Sequence, residues 1–161
     1  MKKCLFLDRD GTINKNLGYV HNYKNFLWLK NVKKAIQYAY KKKFLIVVIS
    51  NQSGVSRGYF KKKDCDLLNK EINKSLKKLK CKIHKFYYAF YHPKYNNKKF
   101  KAIYRKPNPG LFFLAKKEFN IDLSKSLMIG DQKTDQIAAN KAGVKFKLKK
   151  LNLLREIKSI I

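Results

Sequence analysis

Three cysteines in 161 residues, Cys4, Cys65 and Cys81, are odd in number, widely spaced and in no C-x-x-C arrangement. That excludes a disulfide framework and reads as buried thiols of a reducing compartment. No apolar run is long enough to cross a bilayer. Cys4-Leu5-Phe6-Leu7 follows Met1-Lys2-Lys3 but stops at Asp8, short of the hydrophobic segment of a secretory leader, so a cytoplasmic protein with no membrane partner is expected. Repeats, linkers and low-complexity stretches are missing too, and residues 1–161 are expected to form one domain with a core of its own. Carboxylates are scarce: ten Asp and Glu stand against 39 Lys and Arg, for a formal net charge of +29. That imbalance admits a nucleic-acid partner. Yet the lysines are scattered over every segment, in short runs such as Lys41-Lys42-Lys43 and Lys61-Lys62-Lys63 rather than one stripe. Lys, Asn, Ile, Tyr and Phe are abundant together, a bias that A/T-rich codons explain, so nucleic acid is not the expected partner. A positive field would still draw anionic phosphorylated substrates toward a cleft.

What is present is organised around Leu5-Phe6-Leu7-Asp8-Arg9-Asp10-Gly11-Thr12. A short apolar run bounded by a polar turn reads as a buried strand, which delivers Asp8 and Asp10 into the following loop. Side chains two apart on an extended segment point the same way, and like charges that close need a cation or a shared proton. Mg²⁺ answers that need, since it takes few carboxylates, keeps several waters and accepts phosphate oxygens as ligands. By itself D-x-D-G-T also fits a plain acidic turn.

Later segments each end a strand with matching chemistry. Ile46-Val47-Val48-Ile49 runs into Ser50-Asn51-Gln52-Ser53-Gly54, Arg105-Lys106-Pro107 precedes a helix start, and Leu127-Met128-Ile129 runs into Gly130-Asp131-Gln132-Lys133-Thr134-Asp135. With these motifs in this order, from Leu5 to about Gly143, the chain resembles the haloacid dehalogenase superfamily of phosphohydrolases. Asp8-Arg9-Asp10-Gly11-Thr12-Ile13-Asn14, with Gly18-Tyr19-Val20-His21 beyond it, resembles the cap-less branch of heptose bisphosphate and histidinol-phosphate phosphatases. The resemblance implies a Rossmann-like doubly wound parallel sheet without a large cap, and catalysis by Asp8, Asp10, Ser50 and Lys106. It implies Mg²⁺ held by Asp8, Asp131 and the Asp10 carbonyl, and substrate contacts from Asn16, Gly18, Tyr19, Asn51, Gln52, Ser53, Arg57 and Arg105. Asp135, near a helix start, reads as a supporting residue or helix cap.

The remaining pattern alternates strand and helix, as a parallel α/β sheet requires. Phe26 to Leu29 reads as a short extended piece. Asn31 is placed as the N-cap of a helix carrying Val32, Ala35, Ile36 and Ala39 on one face. Phe44 to Ile49 reads as a central strand, Lys62 to Leu79 as an amphipathic helix and Ile83 to Phe90 as an aromatic strand. Asn108 as N-cap with Pro109 at the first helical position marks the next helix. Gly143 closes a further helix, Val144 to Leu148 forms the last strand, and a short helix ends the chain. Members of the resembled branch carry four zinc ligands before the R-K-P motif. Here Ala89, Tyr91, Ala102 and Tyr104 occupy those positions, so no zinc is expected, and Phe90, Tyr91, Tyr95, Phe100 and Tyr104 should order the segment by packing.

The expectation is therefore a monomeric, Mg²⁺-dependent phosphomonoester hydrolase acting through an aspartyl-phosphate on a small phosphorylated sugar. By resemblance the substrate is a heptose 1,7-bisphosphate losing its C7 phosphate in lipopolysaccharide precursor synthesis. Histidinol phosphate and a DNA 3′-phosphate end are the alternatives within the enzyme class. A basic nucleic-acid-binding module on a retired phosphatase scaffold is the alternative outside it.

Overall fold

The computed structural model describes residues 1–95 and 99–161. Strands β1 (Cys4–Leu7), β2 (Leu45–Asn51), β3 (Lys85–Ala89), β4 (Leu127–Gly130) and β5 (Lys145–Leu148) pair in parallel, in the order β3-β2-β1-β4-β5. Because side chains alternate across a strand, the register sets the two layers of the core. Leu5 and Leu7 join Ile46, Val48 and Ile129 on one face, under α1 (Val32–Lys41), α2 (Lys62–Lys77) and α5 (Leu153–Lys158). Cys4 and Phe6 join Val47, Ile49 and Met128 on the other, under α3 (Gly110–Phe119) and α4 (Lys133–Lys141). With both faces covered, β1, β2 and β4 are apolar nearly throughout, as buried parallel strands are. Chain order moves away from β1 on one side and returns on the other, so the crevice for ligands falls at the carboxyl ends of β1 and β4.

Several boundaries move, each for a local reason. Asn31 stands at the start of α1 but adopts a left-handed φ of 63° and makes no side-chain cap; the Val32 N–H turns back to the Leu29 carbonyl at 3.3 Å. Helix α3 begins one residue later than expected, with Pro109 rather than Asn108 at the cap. The Asn108 amide is spent on the Ala102 carbonyl at 3.1 Å. A Cβ on Gly110 would stand 2.5 Å from the Ile103 carbonyl oxygen, so only glycine opens the helix there. Strand β3 starts at Lys85 because the Asn73 side chain takes both backbone groups of Ile83, at 2.8 and 3.0 Å. Strand β2 runs on through Ser50 and Asn51, which pair with Tyr88 and Ala89, so these residues sit on a strand end rather than in a loop. Gly143, φ 71°, closes α4, with its N–H on the Asn140 carbonyl at 3.0 Å.

Beneath the crevice, Phe112 of α3 meets Phe6 of β1 edge to face at 4.9 Å, and both are fully buried. Phe112→Ala is expected to cost about 3–5 kcal/mol by loss of transfer energy and an unfilled cavity. Chemical denaturation read as a shift in midpoint at constant m-value measures it; a loss under ~1 kcal/mol would contradict this account of the core.

Candidate active site

Strand β1 ends at Leu7, and the Asp8 N–H still reaches the Ile129 carbonyl of β4 at 3.0 Å, which holds Asp8 at the mouth of the sheet. Its carboxylate accepts from Lys106 Nζ at 2.6 Å. The same ammonium stands 2.5 Å from Asp135 and donates to the Ile49 carbonyl at 2.9 Å. Asp8, Lys106 and Asp135 are 6%, 4% and 1% exposed, so this is a buried charge cluster rather than a surface ion pair. Lys106 comes from a segment 98 residues away and is held there through its backbone. Asn51 at the end of β2 donates to the Lys106 carbonyl and accepts from the Lys106 N–H, each at 3.0 Å. Asp135 is fixed by the other end of its carboxylate, which caps α4 by accepting from the Gln132 N–H at 3.0 Å.

The electrostatics follow from one ammonium between two buried carboxylates. Burial pulls Lys106 down, but Asp8 and Asp135 outweigh it and hold the ammonium above its ordinary value. Burial pushes the Asp8 carboxyl up to about 6, against the pull of Lys106 and with the push of Asp135. Asp131, exiting β4, completes an acidic group: Asp8, Asp131 and Asp135 each offer an oxygen within 4.8 Å of one another. It is the only such cluster of His, Cys, Asp and Glu among the described residues. Gly11, φ 91°, lies so close to Asp131 that a Cβ would stand 2.2 Å from its carboxylate oxygen.

Asp10 points elsewhere. Its carboxylate accepts from Arg9 Nη2 at 2.9 Å, Asn14 Nδ2 at 2.9 Å and Gln52 Nε2 at 2.7 Å. The Arg9 side chain is fully buried and also reaches the Val20 carbonyl at 2.5 Å and Gln52 Oε1 at 3.1 Å. The sequence reading did not identify Arg9, Asn14 or Thr134 as part of the site. No local signal pointed to Arg9, which reads as a solvated residue of the turn.

A cavity of about 280 Å³ opens over these groups. It is lined by the expected Asp8, Asp10, Asn16, Gly18, Tyr19, Ser50, Asn51, Gln52, Ser53 and Lys106, and also by Gln132, Thr134 and Asp135. Arg57 and Arg105 do not line it. Arg57 stacks at 4.9 Å on Tyr95 and at 6.0 Å on Tyr19, and its Nη2 lies 2.8 Å from His92 Nε2. Arg105 donates to the Tyr91 carbonyl at 3.2 Å, and burial together with the neighbouring Arg57 lowers its pKa. Partial burial and the cations Arg57, Arg105 and Lys94 likewise hold His92 below its ordinary value, which suits an imidazole that accepts from arginine. Phe90 meets Phe100 at 5.4 Å, and Tyr104 packs on the α3 side of the core.

A family model described as polynucleotide kinase 3 phosphatase matches residues 3–151. The chain is 39% identical over 149 residues to D-glycero-beta-D-manno-heptose-1,7-bisphosphate 7-phosphatase of Haemophilus ducreyi, covering 91% of this chain and 82% of that protein. It is 38% identical over 143 residues to the protein of the same name from Escherichia coli, covering 88% and 75%. Among solved structures, a HAD-like phosphatase from Mesorhizobium loti superposes with a TM-score of 0.84 at 27% identity, covering 98% of this chain and 85% of that one. The D,D-heptose 1,7-bisphosphate phosphatase from B. bronchiseptica, in complex with magnesium and phosphate, superposes with a TM-score of 0.83 at 23% identity over 98% and 86% and shares the fold.

The cluster leaves no room at the end of β4. A Cβ on Gly130 would stand 2.3 Å from Asp135 Oδ2 and 2.7 Å from its Cβ, and Asp135 is held at both carboxylate oxygens. Gly130→Ala is expected to destabilise the protein by about 1–3 kcal/mol, read from denaturation curves; unchanged stability would mean that Asp135 is free to move.

Proposed function

The chain belongs to the polynucleotide kinase 3 phosphatase family and is a phosphatase, and on that premise we propose that it removes the C7 phosphate of D-glycero-D-manno-heptose 1,7-bisphosphate. The observation that carries the chemistry is the buried Asp8 carboxylate at the end of β1, 2.6 Å from Lys106 and sharing one cavity with Asp10. Relatives at 38–39% identity over most of both chains, named for that activity, support the substrate.

In this reading an Asp8 oxygen attacks phosphorus, and the bond from phosphorus to the sugar oxygen breaks as Asp10 gives that oxygen its proton. Water then attacks the aspartyl-phosphate, passing a proton to the now ionised Asp10; the phosphorus–Asp8 bond breaks and phosphate leaves. Lys106 and the Ser50 hydroxyl face the non-bridging oxygens, where positioning and electrostatic stabilisation are most of what phosphoryl transfer requires. The oxygen donors of Asp8, Asp131 and Asp135 within 4.8 Å suit a hard divalent cation. Asp8, Asp131 and the Asp10 carbonyl would hold Mg²⁺, which when bound offsets the repulsion between the Asp8 carboxylate and a dianionic phosphoryl group.

A second reading, a 3′-phosphorylated DNA end, is favoured by the description of the matching family and by the net charge of +29. Phosphate release from heptose 1,7-bisphosphate, histidinol phosphate and a 3′-phosphorylated oligonucleotide, with Mg²⁺ present, distinguishes these.

Two outcomes are expected. Asp8→Asn should lose at least about a thousandfold in kcat while its circular dichroism stays that of the parent; retained turnover would sink the covalent mechanism. Metal binding needs Asp8 ionised, and its carboxyl titrates near 6 before the cation binds. Below that pH a proton competes for the same oxygen, so Mg²⁺ affinity by calorimetry should fall by up to about tenfold per pH unit. Affinity constant from neutral to pH 5 would remove Asp8 from the ligand set.

A further inference from the structure

Gln52 is 4% exposed, and both ends of its amide are committed. Its Oε1 lies 3.1 Å from Arg9 Nη2. A guanidinium can only donate, so the oxygen end is fixed by the neighbour and the NH₂ end has one direction left. That end donates to Asp10 Oδ2 at 2.7 Å and to Ser50 Oγ at 3.0 Å. A hydroxyl oxygen that accepts such a bond keeps its own proton for another acceptor, and the Ser50 hydroxyl lines the cavity. Arg9 itself cannot turn, because it is fully buried, forks onto Asp10 and is tied to the Val20 carbonyl.

We propose that Arg9 and Gln52 are positioning residues that set the polarity of the site: the fixed cation orients the amide, and the amide makes Ser50 a donor toward the phosphoryl oxygens while aligning Asp10. This rests on the hydrolase reading above and replaces the expected role of Gln52 as a substrate contact. A purely structural amide would contribute stability alone, and a substrate contact would act on KM. The relay acts on kcat, through hydrogen-bond direction.

Gln52→Glu tests it, since it keeps the size and the acceptor for Arg9 but turns the other end into an acceptor facing Asp10 and taking the Ser50 proton. Expected is a loss of about a hundredfold in kcat on the heptose bisphosphate with KM little changed. Compared as kcat/KM, which reports the steps up to departure of the leaving group, the loss on p-nitrophenyl phosphate, whose leaving group needs no proton, should be smaller, because in those steps only the Ser50 part is felt. Gln52→Met, apolar and of similar length, is the second variant should the first fail to fold, and about a tenfold loss is expected of it. An effect confined to KM, equal losses of kcat/KM on both substrates, or parental kcat in both variants would each overturn the relay. A parent enzyme that hydrolyses the aryl phosphate but not the heptose bisphosphate would refute the substrate reading and leave the relay to be judged on the aryl ester. A parent that hydrolyses neither refutes both.

Discussion

A single ammonium buried between two carboxylates is the constraint on which the rest of the site depends. Removing charges from water costs several kcal/mol per ion, and attraction repays it only where geometry is tight and every remaining group is bonded. Lys106 meets that condition with Asp8, Asp135 and the Ile49 carbonyl at 2.5 to 2.9 Å. The cluster keeps one uncompensated negative charge, and Asp131 adds another beside it. That excess makes the mouth of the sheet a place for a cation, in a molecule whose remaining surface is overwhelmingly positive.

The parallel sheet makes the cluster possible. Neighbouring strands that run the same way end side by side, so Asp8 after β1, Ser50 at the end of β2 and Asp131 after β4 share one edge without long loops. Lys106 lies on no strand, and its place is bought by the peptide-like clamp from Asn51. Asn51 therefore works on the far side of the ammonium, although it also lines the cavity.

Strand ends were legible because apolar runs that stop at a polar residue are a local signal; Asp8, Asp10, Ser50 and Asp131 all follow such runs. Asp135 was legible as a supporting residue or helix cap, but not its partner, because its second oxygen serves a lysine that sequence distance hides. Arg9 was opaque for a stronger reason. A charged residue in a turn reads as solvated, and only the packed fold shows that the guanidinium has no exposure at all. Asn31 and Asn108 looked like caps by residue type, but an asparagine can take a left-handed φ or serve a distant carbonyl equally well.

The segment around Tyr91 and Tyr104 is shaped by arginine and aromatic side chains. Here Arg57 spans the loop and its opposite wall, stacking on Tyr95 and Tyr19 and bonding His92, while Arg105 ties to the Tyr91 carbonyl. Because the cations that order this rim lie beside the cavity, order and charge come from the same side chains. Burial lowers the pKa of Arg105, and the neighbouring Arg57 lowers it further.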